Sequence, residues 1–303
     1  MLPTYLVTGA TDGIGKATAL ALARSNVCVI IHGRDPDKTA ATLQQLKQET
    51  GNSNLHTVLA DFTSLEEVAV LAEHICDRFP DLNVLINNAG HLTDHRQLSV
   101  DGFELTFAVN YLAPFLLTLN LIATLKDNMP ARIVNVASTA LGGGRLNFSD
   151  LQQEQAFNGW QAYANSKLAN VLFSHLLAEK LEGSGVVSNS LCPGLIDTNF
   201  FHTNSVFPKS AYERMRPGMR SSEEGALVPL YLASDPAAAE INGEFFIREG
   251  RDGRRIMRLH WEHKTATQLW SASEELVGPW LKFKGVGHHE AVGTSPEKSF
   301  QAC

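Results

Sequence analysis

Cysteine is scarce and long basic runs are absent in this 303-residue chain. The four cysteines, Cys28, Cys76, Cys192 and Cys303, are widely spaced and form no C-x-x-C pair. That excludes a disulfide scaffold or a zinc ribbon and fits reduced thiols in the cytoplasm. A formal charge of −7 without a basic block gives nucleic acid and anionic membranes nothing to bind. No H-E-x-x-H or comparable spacing occurs, and the adjacent His288 and His289 read as solvent-exposed, so no metal is expected. The strand-like Tyr5–Val7 begins without a charged leader or a cleavable apolar stretch, so no signal peptide is expected. The longest apolar segment, Phe115–Leu125, is shorter than a bilayer span and is broken by Thr118, Asn120 and Thr124. It reads as a buried helix. No repeat of 20–50 residues is visible. What remains is a hydrophobic content of 44%, enough for one substantial core, and a small molecule as the fitting partner.

Short apolar runs alternate with helix-length stretches along the chain. Tyr5–Val7, Val27–Ile31, Leu55–Leu59, Val84–Ile86, Ile133–Val136, Val186–Leu191 and Glu244–Ile247 read as strands. Helical patterns fill 14–25, 36–49, 65–79, 101–128, 160–182 and 222–234. This alternation predicts an α/β fold, a doubly wound parallel sheet with helices on both faces. Asp35-Pro36 and Ser64 mark helix starts, and Gly183 and Gly185 mark the end of the helix carrying Tyr163. The expected organisation is a single domain: residues 1–250 as a dinucleotide-binding catalytic unit and 251–303 as a C-terminal extension, loosely ordered from 285 onward. A homodimer is the default assembly, with the long helices at 101–128 and 160–182 as its interface.

Directly after the first strand comes Thr8-Gly9-Ala10-Thr11-Asp12-Gly13-Ile14-Gly15, opening into an alanine-rich helix. Three glycines at a β–α junction permit a tight turn and close approach of backbone to a pyrophosphate, which the free N–H groups of the helix start can bind. An ordinary strand-to-helix turn is the plain alternative. The spacing T-G-x-x-x-G-x-G departs from the general G-x-G-x-x-G and resembles the short-chain dehydrogenase/reductase family. Asn87-Asn88-Ala89-Gly90, Tyr163-x-x-x-Lys167 and Pro193-Gly194-Leu195-Ile196-Asp197-Thr198 extend the resemblance over residues 4–250. Gly13–Ala19, Gly33-Arg34-Asp35, Phe115–Thr118 and Leu269–Gly278 are most similar to retinol-dehydrogenase-like members. Tyr111-Leu112-Ala113-Pro114 departs from the usual run, which puts a retinoid substrate in doubt but not the chemistry.

The resemblance implies a Rossmann fold and a nicotinamide dinucleotide held by Thr8, Gly9, Asp12, Gly13, Ile14 and Gly15, with Asn88, Ala89, Gly90 and Asp61 near the adenosine. Pro193, Gly194, Ile196 and Thr198 would face the nicotinamide. Gly33 stands where NAD-preferring members place Asp, and Arg34 can fork onto a 2′-phosphate, which favours NADP(H) over NAD(H). Asp12 argues the other way, and a surface pair of Arg34 with Asp35 is the plain alternative. Tyr163 and Lys167 lie four apart on one helical face, so an ammonium adjoins a phenol whose free pKa is about 10, and this ammonium together with the positive nicotinamide of an oxidised cofactor should lower it. The implied activity interconverts an alcohol and a carbonyl: Tyr163 as acid/base, Lys167 on the ribose, Ser138 on the substrate oxygen, Asn110 anchoring a proton relay. Two alternatives stay open: a nucleotide-sugar epimerase, whose glycine loop would be spaced differently, and a non-catalytic NADP(H)-binding sensor or scaffold.

A lipophilic substrate is expected from Phe200, Phe201, Val206, Phe207, Tyr212, Met215 and Met219, an apolar stretch that forms either a lid over residues 197–220 or ordinary packing. Ile256–Trp261, beyond the last expected strand, is a second candidate wall, and Arg251, Arg254, Arg255 and Arg258 could mark a surface contact instead.

Overall fold

The computed structural model describes residues 2–202, 206, 208–249, 253–257, 259 and 262–282. Strands β1 (Thr4–Val7), β2 (Cys28–Gly33), β3 (Leu55–Leu59), β4 (Leu82–Asn87), β5 (Ala131–Val136), β6 (Val186–Cys192), β7 (Phe245–Glu249) and β8 (Gly253–Ile256) form one sheet in the order β3-β2-β1-β4-β5-β6-β7-β8. The first seven run parallel, and β8 pairs antiparallel with β7 at the edge. The strand order reverses between β1 and β4, and such a switch point opens a crevice at the carboxyl ends of the strands.

Both sheet faces are apolar because helices cover both, as the near-continuous hydrophobic strands require. On one face Leu6, Ile30, Leu82, Leu85 and Ile133 pack under α3 (Leu65–Arg78), α5 (Ala113–Asp127) and α6 (Gly159–Lys180). On the other, Val7, Val29, Ile31, Val84, Ile86 and Val134 meet α1 (Gly13–Ala23) and α9 (Ser222–Ser234), while α2 (Pro36–Thr50) flanks β2 and β3. Asp35 and Ser64 accept from the Lys38 and Glu67 amides and so cap α2 and α3. Gly183 and Gly185, at φ +75° and +76°, turn the chain between α6 and β6.

The stretch expected as one helix over 101–128 is interrupted. A short α4 (Leu105–Phe107) leads through a π turn (Ala108–Leu112) into α5. Pro114 has no N–H to return to the Asn110 carbonyl four residues earlier, so the regular ladder cannot run through this point. By length and composition Leu105–Asp127 could cross a membrane, but 94% of its most apolar window is buried inside the protein. Its apolarity is that of a core helix.

The parallel sheet expected from the sequence gains one antiparallel strand at its edge. Ile256 does not lie beyond the last strand but inside β8, and the division near residue 250 falls between β7 and β8. Past β8, α10 (His263–Val277) packs on α6. Residues 197–220 hold two short helices, α7 (Asn199–His202) and α8 (Lys209–Met215). The expectations for Phe207, Arg251, Arg258, His260, Trp261, His288, His289, Cys303 and the side chain of Phe201 lie outside the described residues.

Candidate active site

A cleft of about 920 Å³ opens at the carboxyl ends of the strands, in the size range of small-molecule sites. The glycine loop after β1 forms its floor. Gly9 has φ +62°, and a Cβ there would stand 2.9 Å from the Ala89 Cα. A Cβ on Gly15 would stand 2.3 Å from the Gly9 carbonyl and from Asn88 Nδ2, so loop, helix and the turn after β4 approach too closely for side chains. The Thr8 hydroxyl accepts from the Asn88 and Ala89 amides at 2.9 and 3.1 Å and donates to the Ile86 carbonyl, while Asn88 Nδ2 donates to the Thr8 carbonyl at 2.8 Å. The Asn88-Ala89-Gly90 element thus braces the glycine loop across the switch point. The resulting backbone cradle at the start of α1 fits a pyrophosphate.

At the adenosine end, Arg34, Asp61 and Gly33 line the cleft. Asp61 accepts from the Thr63 amide at 3.0 Å. Arg34 is exposed and makes no ion pair among the described residues, and Asp35 caps α2. Asp12 caps α1 through the Gly13 amide at 2.8 Å and accepts from Lys38 Nζ at 2.9 Å and Asn199 Nδ2 at 2.7 Å. These hydrogen bonds outweigh desolvation and hold its carboxyl below the usual range.

His32 is buried beneath the loop. Its Nδ1 accepts from the Gly9 amide at 3.1 Å, which leaves Nε2–H to donate to the Ala60 carbonyl at 3.1 Å, and its ring stacks on Phe62 at 4.5 Å. Burial pushes this imidazole down to about 4. His91 also lines the cleft; burial, then the Arg34 charge, lowers its pKa, and its Nε2 is buried without a partner among the described residues.

At the other end, α6 carries Tyr163 and Lys167 into the cleft beside Ser138, which follows β5. The Ser138 hydroxyl faces Tyr163 across the cleft and favours the charged form of its phenol. Lys167 is buried, donates to the Val136 carbonyl at 3.0 Å and stands 5.5 Å from the centre of the Tyr163 ring. The sequence predicts that this ammonium and an oxidised nicotinamide lower the phenol. In the protein alone, burial raises Tyr163 above its ordinary value, opposed by the Ser138 hydroxyl, and pushes Lys167 itself down to about 8. Desolvation wins because Lys167 is buried, Tyr163 is half-buried in the cleft wall, and Lys167 Nζ is engaged by a carbonyl rather than by the phenol.

Pro193, Gly194, Ile196 and Thr198, after β6, line the same end together with Phe200 and Met215. Two of the expected site residues do not reach the cleft. Thr8 is buried under the loop it braces. Asn110 is also buried, accepting from the His91 amide at 2.6 Å and donating to the His91 carbonyl and to Ser166 Oγ at 2.9 and 3.0 Å. It fixes the backbone next to Gly90 against the helix of Tyr163. All the other expected residues line one cavity. Lys38, His91 and Trp160 join them unannounced, though Trp160 stands one helical turn before Tyr163 and was findable by that spacing.

The profile of the family described as short chain dehydrogenase matches residues 3–207. Human retinol dehydrogenase 13 is 36% identical over 282 residues, spanning 91% of this chain and 84% of that protein. An uncharacterised protein from Mycobacterium paratuberculosis has a similar solved structure, with TM-score 0.72 and 29% identity over 91% of this chain and 96% of that one. A candidate NAD(P)-dependent gluconate 5-dehydrogenase from Beutenbergia cavernae, with bound NADP at low occupancy, has TM-score 0.66 and 28% identity over 81% of this chain and 94% of that one.

Proposed function

The chain belongs to the short-chain dehydrogenase family, oxidoreductases acting on alcohol and carbonyl groups, and on that premise we propose that it uses NADP(H) to interconvert a lipophilic alcohol and its aldehyde or ketone, with Tyr163 as the proton-transfer group. The observation that carries this reading is the gathering of Ser138, Tyr163 and Lys167 in the same cavity as the glycine loop. When bound, the dinucleotide supplies or accepts the hydride. The chain's own groups do the rest. Ser138 holds the substrate oxygen, and Tyr163 hands it a proton or takes one away. A phenol raised by burial is protonated at neutral pH, so it holds the proton that reduction needs. Lys167, with its ammonium near 8, holds the nicotinamide ribose.

The amides of Ile14 and Gly15 would hold the pyrophosphate, with Asp61, Asn88, Ala89 and Gly90 around the adenosine. A 2′-phosphate suits the pair of cations Arg34 and Lys38 at that end. Gly33 excludes the acid that would favour NAD(H), since a Cβ there would stand 2.2 Å from Thr39 Oγ1. The NADP of the Beutenbergia relative agrees. Phe200, Met215, Leu195 and Ile247 make the substrate end apolar. Free Cys28, Cys76 and Cys192 fit a reducing, cytoplasmic setting.

Tyr163→Phe tests the assignment. Turnover of a carbonyl panel with NADPH should fall by about 10²–10⁴-fold, while fluorescence titration shows NADPH binding nearly intact. A variant keeping more than about a tenth of the wild-type rate removes Tyr163 from the role.

A further inference from the structure

Trp160 takes part in none of the contacts assigned above, yet it stands at the cleft beside the reacting groups. It lies in the first turn of α6, whose start is fixed by Asn158 Oδ1 accepting from the Gln161 amide at 2.9 Å. Its ring centre is 5.8 Å from that of Tyr163, with planes at 33°. Phe200 meets Tyr163 as well, at 5.5 Å and 47°. All three line the cleft, and Trp160 remains 43% exposed. Large aromatic surface left in water beside a cavity marks a place where a ligand gains by covering it.

The surroundings of the indole narrow the shape of that ligand. Gly143 comes near the ring edge, where a Cβ would stand 4.0 Å from Trp160 Nε1, and a Cβ on neighbouring Gly142 would meet open space. Backbone without side chains leaves a gap beside the ring. Leu195, 37% exposed, Met215 and Ile247 contribute apolar surface at the same end. Because both rings adjoin Tyr163, whatever they touch is the part of the substrate next to its carbonyl, not a distant tail. A flat ring there gains offset or edge-to-face aromatic contact, whereas a saturated group gains only area burial.

Resting on the function proposed above, we infer that Trp160 is a specificity residue that selects carbonyl compounds whose carbonyl is attached directly to a flat aromatic ring. The test compares naphthaldehyde with its fully saturated decalin counterpart, which has the same carbon skeleton. Reduction with NADPH is followed for the wild type, Trp160→Leu and Trp160→Phe. Wild type is expected to show the lower KM for naphthaldehyde. Trp160→Leu should reduce the ratio of the two kcat/KM values by about three- to tenfold, mainly through KM, and Trp160→Phe, which keeps a ring, should retain most of the preference. NADPH titration of each variant reports whether its fold is intact. A wild type without a lower KM for the flat aldehyde overturns the inference without recourse to any variant. A ratio unchanged in a folded Trp160→Leu overturns it too. In both cases the proposed oxidoreductase activity stands, whereas a wild type that reduces neither aldehyde strikes at that activity itself.

Discussion

Lys38 changes the electrostatic meaning of Asp12. A carboxylate in the glycine loop would repel a phosphate, but this one already faces an ammonium 2.9 Å away. Both side chains are about half exposed, at 50% and 42%, so the pair contributes little to stability, ~0–1 kcal/mol, and Lys38 can turn to an anion at small cost. Replacing Arg34 or Lys38 by Ala is expected to weaken NADPH by about tenfold or more each while leaving NADH within about twofold, charge-assisted hydrogen bonds contributing ~1.5–3 kcal/mol. Titrations of both cofactors read this directly, and equal losses for the two would make these cations mere surface charge. Arg34 was legible because it directly follows β2. Lys38 was not, since its partner lies 26 positions away and only the fold brings them together. His32 was hidden likewise. Unfolded, it takes a proton below about 6.5; folded, it stays neutral down to about 4. Between those values the unfolded state binds more protons, so stability is fullest above about 6.5 and falls as pH drops through the window. From pH 7 to pH 5 the wild type should lose about 2 kcal/mol more than His32→Gln in urea titrations. Parallel losses would mean that the imidazole is not held neutral.

Among the elements, the strands β1 to β7 were readable as short apolar runs because both faces of a parallel sheet are buried. β8, Gly-Arg-Arg-Ile, was not, since an edge strand carrying two arginines has no hydrophobic signature. The break before α5 needed one more step of reasoning, from Pro114 back to the carbonyl it cannot satisfy. α10 could have been found, because Ala266, Leu269, Trp270, Ser273 and Val277 fall on one helical stripe. Within the sheet, polar side chains link three adjacent strands. Asn87 Nδ2 donates to Asn135 Oδ1 at 2.9 Å and to Thr118 Oγ1 at 3.0 Å, Asn135 Nδ2 donates to Ser188 Oγ at 3.5 Å, and Ser188 meets Ser174 at 3.0 Å. All are buried, and Asn87 directly precedes the Asn88 that braces the glycine loop. Removing the middle member strands its neighbours' polar groups away from water. Asn135→Ala should therefore cost ~1–3 kcal/mol in urea unfolding. No measurable loss would mean that the ladder is not a structural tie.

At the scale of the whole molecule, the question is what covers α5 and α6. The sequence offers these long helices as a subunit interface, but in the structure the chain covers them itself. Trp270 of α10 packs against Phe115 and Phe173 at 5.2 and 5.8 Å, and Lys180 Nζ lies over its ring at 4.8 Å. The Tyr111 hydroxyl meets Ser273 Oγ at 2.7 Å. Asn120 donates to the Trp280 carbonyl and accepts from the Lys282 amide. A second copy would have to displace all of this to reach the same apolar surface. Trp270→Glu puts a charge into that contact and uncovers Phe115 and Phe173, so it should act within one chain: a loss of roughly 3–5 kcal/mol, comparable to truncating a buried tryptophan, and a Tm lower by on the order of 10 °C. Light scattering should show the uncovered face promoting self-association as concentration rises, because exposed aromatic surface seeks cover. The opposite pattern, an unchanged Tm with a wild-type dimer falling apart into monomers, would assign the face to a partner copy and leave α10 a peripheral strap.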